Sequence, residues 1–95
     1  MAAYIIANVE VTDPVGFQEY VRQAPPIVAK YGGKYLVRGG QVEQGEGDWD
    51  IHRVVIIQFD TMEQLKKWYH SDEYSEPMKL RIRSTNTRSI MVEGI

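Results

Sequence analysis

The sequence predicts one α+β domain of the ferredoxin-like βαββαβ pattern, and three observations carry that expectation. Short runs rich in Ile, Val and Tyr recur at 4–11, 34–38, 53–59 and 88–93, the composition of strands. Between the first and second runs, and again between the third and fourth, apolar residues fall at helical spacing. The order is therefore β, α, β, β, α, β. Two right-handed crossovers of that kind place the helices on one side of a four-stranded antiparallel sheet, with strand order 4-1-3-2. A chain of 95 residues is one domain by length, spanning 1–95.

Each element has its own signal. In the first strand, Ile5, Ala7, Val9 and Val11 make one parity fully apolar, and Tyr4, Ile6, Asn8 and Glu10 make the other mixed. Asp13 caps the first helix and Pro14 suits its first position, where a missing N–H costs nothing. Phe17, Tyr20, Val21, Ala24, Val28 and Tyr31 share one face of it. Pro25-Pro26 removes two consecutive donors and is expected to kink or split the helix near Ala24. Gly32-Gly33 ends it. Lys34 to Arg38 forms a short strand, and Gly39-Gly40 permits a bend or bulge. Residues 41–50 read as an extended edge arm with a loop carrying Trp49. Thr61 and Gln64 fit a capping box, with Leu65, Trp68 and Tyr69 on the apolar side of the helix that follows. Ser71-Asp72-Glu73 starts a last helix that ends near Arg83, and Arg88 to Glu93 is the final strand.

Composition limits what the domain does. The net charge is -2 with both signs interspersed, and no basic run suggests a nucleic-acid partner. Apolar runs such as Val54-Val55-Ile56-Ile57 are far shorter than the ~20 residues of a membrane span. No basic stretch precedes an apolar one at the start, so a soluble, cytoplasmic protein is expected. The absence of cysteine excludes disulfides and thiolate metal sites. No metal-ligand spacing, phosphate loop, dinucleotide fingerprint or nucleophile elbow is present, so neither a metal nor a cofactor is expected.

A homodimer is expected from burial. Val54 to Ile57 are apolar at both parities, as in a strand covered on both faces. The chain supplies one helical layer, and a second copy is the simplest cover for the other face. Asn8, Gln58, Trp49 and Ile56 are the candidate interface residues.

Candidate pocket residues are Arg38, Arg53, Arg81, Tyr20, Tyr31, Trp68, Tyr69 and Tyr74. Arg38 precedes two glycines and could clamp a carboxylate or enolate, or pair with Glu43 or Glu46 at the surface. Arg53 could converge with it or mark the wet end of a strand. Arg81 shares a helix face with Tyr74, Met78 and Ile82, and either meets a ligand or snorkels to solvent. The aromatic side chains could wall a pocket for a flat molecule or form plain core. His52 and His70 show no ligand spacing, and His70 suits a helix C-terminus.

The segments 31–40 (Tyr-Gly-Gly-Lys-Tyr-Leu-Val-Arg-Gly-Gly), 46–49 (Glu-Gly-Asp-Trp), 54–59 and 68–74 (Trp-Tyr-His-Ser-Asp-Glu-Tyr) together resemble a small bacterial family. That family is known only as a domain of unknown function within the dimeric α/β-barrel superfamily. The resemblance spans 4–95 and implies the fold and the dimer. Superfamily relatives include cofactor-independent monooxygenases, muconolactone isomerases and haem-binding enzymes, with pockets between helices and sheet. The expected function is thus small-molecule binding, and the resemblance extends the expectation to metal-free isomerase or oxygenase chemistry on a small aromatic or acidic substrate. The alternatives are a metabolite-binding module and a structural dimer or accessory subunit.

Overall fold

A computed structural model describes residues 1–95. Its elements are β1 (Ala3–Val11), α1 (Pro14–Lys30), β2 (Lys34–Arg38), β3 (Arg53–Phe59), α2 (Met62–Tyr69), α3 (Asp72–Ser84) and β4 (Thr85–Glu93). The sheet is antiparallel with order β2-β3-β1-β4, which is the expected order read from the other edge. The fold is α+β and ferredoxin-like. Its extents of 35 × 32 × 17 Å are those of a slab one sheet and one helical layer thick.

The parity of the strands divides the molecule. Ala3, Ile5, Ile57 and Phe59 point toward the helices and are buried against Ala24, Val28, Leu65, Trp68 and Tyr74, and Val9 is buried on the same parity. The opposite parity leaves a face with no covering layer. There the register lines up Val37, Ile56, Ile6 and Ile90 in one row across all four strands. Ile90 is 61% exposed and Val92, one row along, is 42% exposed.

Local chemistry accounts for the helix starts. Asp13, Thr61 and Ser71 each accept a backbone N–H of the first turn of α1, α2 and α3. The Thr61–Gln64 pair is only half a capping box: Thr61 Oγ accepts from Gln64 N at 3.0 Å, but the Gln64 amide donates to the Tyr31 carbonyl. It thereby ties the start of α2 to the end of α1.

Four expectations are corrected. Pro25-Pro26 does not split α1, which continues to Lys30. The carbonyls deprived of their intrahelical donors belong to Val21 and Arg22, while Ala24 and Val28 hold the buried face of the helix. The bulge lies between Tyr35 and Val37 rather than at Gly39-Gly40, although Gly39 does turn the chain with φ +75°. Residues 41–50 form no strand, and β4 begins at Thr85 rather than Arg88.

Candidate functional site

A cavity lies between the inner faces of the helices and the sheet and opens to solvent. The register explains where it opens. At one end of the sheet Ala3 pairs with Phe59, and Ile5 lies between Ile57 and Met91, under Leu65 and Trp68. Trp68 stacks on Phe59 at 5.3 Å and meets Tyr74 at 4.4 Å, so that end is solid core. At the other end Val9 is flanked by Arg53 and Thr87, and Val55 by Arg38. Those positions carry polar or charged side chains into the same layer, and the core gives way to the cavity.

Three arginines reach it. Arg38 projects from the end of β2, with its guanidinium 4.8 Å from the Tyr35 ring centroid. Arg53 begins β3 and lies 5.5 Å from the ring of Phe17 on α1. Its Nε is fully buried and has no hydrogen-bond partner. Arg81, one turn before the end of α3, is half-buried on the helical wall. None of the three takes part in an ion pair. The surface pairs are elsewhere, among them Arg22–Glu19, Lys30–Glu73, Lys67–Glu63 and Lys79–Glu76. Arg38 pairs with neither Glu43 nor Glu46. No Asp, Glu or His lines the cavity.

The aromatic side chains supply the walls and two facing hydroxyls. Tyr20 Oη and Tyr74 Oη lie 2.6 Å apart and join α1 to α3. Burial pushes the Tyr20 hydroxyl far above its usual range, and the Tyr74 hydroxyl adds to the effect. Burial likewise pushes Tyr35 up to about 12. Both are therefore neutral donors at physiological pH rather than proton acceptors. Burial works against the Arg81 guanidinium, but Tyr74 beside it, then Tyr20 and Tyr69, outweigh this and hold its pKa above the ordinary value. Trp68 also lines the cavity, and its indole Nε1 is buried without a partner.

The geometry brings together Arg38, Arg53, Arg81, Tyr20, Trp68, Tyr69 and Tyr74. It leaves Tyr31 outside: its hydroxyl donates to Glu73 at 2.7 Å on the surface, beside Lys30. Ile82 is 61% exposed and does not share the inward face of Arg81. Tyr35 was not singled out by sequence, and Phe17 and Gly39 were read only as a helix-face and a turn residue, although each touches or makes room for an arginine. Their signal was spacing: Phe17 lies one turn before Tyr20, and Tyr35 lies beside the bulge that redirects Arg38.

Ile56, Gln58 and Asn8 all belong to the uncovered sheet face. Asn8 is already engaged within the chain. Its amide donates to the Asp50 carbonyl and its Oδ1 accepts from His52 N, both at 2.8 Å, which pins the segment leading into β3. Trp49 is 61% exposed in the loop before β3. His70 caps the C-terminus of α2. No group of three or more His, Cys, Asp or Glu side chains is placed to hold a metal ion. No helix is long and apolar enough to cross a membrane.

Fold and site together define a ferredoxin-like α+β protein with an arginine-lined cavity between helices and sheet. Residues 2–95 match the family described as Domain of unknown function (DUF1330), and the chain belongs to that family. No curated protein matches it. Among solved structures, it is similar to RPA0582, a protein of unknown function from Rhodopseudomonas palustris. The identity is 18% and the TM-score 0.76, covering 99% of this chain and 82% of that one. It is also similar to SnoaB, a cofactor-independent oxygenase from Streptomyces nogalater, at 10% identity and TM-score 0.74, covering 99% and 93%. A dimeric ferredoxin-like protein of unknown function from Bacteroides fragilis gives 12% and 0.65, covering 98% and 96%. At these identities the likeness is one of fold.

Proposed function

We propose that this protein binds a small molecule with an apolar, planar body and an anionic group in the cavity between its helices and its sheet. One observation carries the reading: three guanidiniums line a mostly apolar cavity with no carboxylate to pair them. Burying a cation without a partner costs free energy, and an anionic ligand removes that cost. Aromatic walls from Phe17, Tyr35, Trp68 and Tyr69 suit a flat body.

The same lining supports binding more strongly than proton-transfer chemistry. Tyr20 and Tyr35 are held neutral, and no His, Asp or Glu is within the cavity to accept a proton. A metal-free oxygenase or isomerase role, suggested by a shared fold with a cofactor-independent oxygenase, would rest on anion stabilisation by the arginines. Thermal unfolding in the presence of small aromatic carboxylates tests the proposal. Stabilisation by the acids but not by their neutral amides supports it. Equal response to both, or none, rejects it.

We further propose that the protein works in the cytoplasm as a homodimer joined through the uncovered sheet face. A row of Val37, Ile56, Ile6 and Ile90 on a 17 Å slab supports a second copy as the cover. Fold relatives described as dimeric support it too.

A further inference from the structure

The number and placement of the unpaired arginines bear on the charge of the ligand. This chain has 13 acidic and 11 basic residues, so carboxylates are not scarce. They pair with Arg22, Lys30, Lys67 and Lys79 on the surface and leave the cavity alone. The three cavity arginines are also not equivalent. Arg38 is exposed, so water screens it. Arg53 and Arg81 are half-buried and on opposing layers, one on the sheet and one on α3.

Each of these two arginines has its own polar surroundings. Arg53 has Arg38 nearby on the sheet, an orphaned Nε, and a glycine at position 39 that leaves room for its guanidinium. Arg81 has the linked hydroxyls of Tyr20 and Tyr74. Burial holds the Tyr20 hydroxyl protonated, so it adds no negative charge that would cancel the guanidinium. A second anionic group would give the guanidinium on the opposing layer an anion of its own. We propose that the ligand is a dianion: a small dicarboxylate on an apolar, planar body, with one carboxylate at Arg53 and Arg38 and the other at Arg81 with the Tyr20–Tyr74 hydroxyls. This deepens the binding function proposed above and rests on it.

Titration calorimetry with benzoate, isophthalate and terephthalate at one fixed ionic strength tests the inference. At least one diacid is expected to bind about tenfold more tightly than benzoate. R81Q is expected to bring that diacid down to the level at which wild-type protein binds benzoate. R81K keeps the charge and is expected to preserve the preference for the diacid, which separates loss of a cation from loss of the fold. If benzoate and both diacids bind equally, the dianion inference is wrong and the single-anion reading stands. If none of the three binds at about 10 mM, both fall.

Discussion

Gly39 makes room for Arg53. A Cβ at position 39 would lie 2.6 Å from Arg53 Cζ and closer still to Nη1, and the residue has φ +75°. Its N–H also donates to the Val54 carbonyl at 2.9 Å, which holds the turn against β3. Gly39→Ala therefore meets two penalties, a left-handed backbone and a side-chain collision. The variant should lose about 1–2 kcal/mol of stability. Displacement of the guanidinium should also weaken anion binding. Urea denaturation and calorimetry read the two effects separately, and wild-type values in both would show that the close approach has no consequence.

Arg53 itself is expected to cost the ligand-free protein stability. Its Nε is buried and unbonded, and an orphaned donor of that kind costs about 1–3 kcal/mol. The stacking on Phe17 returns about 0.5–1 kcal/mol, and a methionine would retain an apolar contact with that ring. Arg53→Met should thus stabilise the ligand-free protein by about 1 kcal/mol while weakening binding of aromatic acids. A gain in stability at the expense of function marks a residue kept for its ligand. A destabilised variant in urea denaturation would instead assign Arg53 a structural role.

The convergence of Arg38 and Arg53 shows where sequence patterning stops. Strict alternation along β2 puts Arg38 on the same side as Lys34 and away from Tyr35. The bulge between Tyr35 and Val37 shifts the register by one, so Tyr35 and Arg38 both face the helices. No residue between them announces a bulge, and the two glycines that suggest one lie just beyond. The two-sided apolarity of Val54 to Ile57 was legible because it depends on composition alone. The course of α1 through Pro25-Pro26 was not, because it depends on the tertiary packing of Ala24 and Val28 against the core on either side of the prolines. Tyr31 fits the helical face that carries Tyr20, but its position as the C-cap turns it toward Glu73 instead.

Alkaline pH should destabilise the fold through the cavity tyrosines. Burial raises Tyr35 from 10.0 to about 12 and raises Tyr20 further. A tyrosine in the unfolded chain ionises near 10, so above that pH the unfolded state binds fewer protons than the folded one. Stability then falls as pH rises. The contribution of Tyr35 is complete below about pH 10 and lost progressively as pH rises toward 12. Urea midpoints measured across that interval should decline, and Tyr35→Phe should flatten part of the decline. A wild-type profile with no slope there would mean that these hydroxyls titrate as if exposed.

The uncovered sheet face offers the last prediction. Ile6 stands directly between Ile56 on β3 and Ile90 on β4, and Ile90 is 61% exposed in the single chain. A lysine at 90 therefore faces water in an isolated subunit and costs its fold little. In a two-fold dimer through this face, position 90 occurs twice. Burying an isoleucine contributes about 1.5–3 kcal/mol, so two substitutions remove about 3–6 kcal/mol from association. That weakens a dimer by about two to four orders of magnitude in Kd. Ile90→Lys is expected to run as a monomer in light scattering behind size exclusion at micromolar concentration, with an unchanged circular dichroism spectrum. Ile82→Lys is the control, because Ile82 is equally exposed but lies on α3, in the helical layer. Dissociation by both variants would point to a different interface, and a wild-type protein that is already monomeric would remove the dimer altogether.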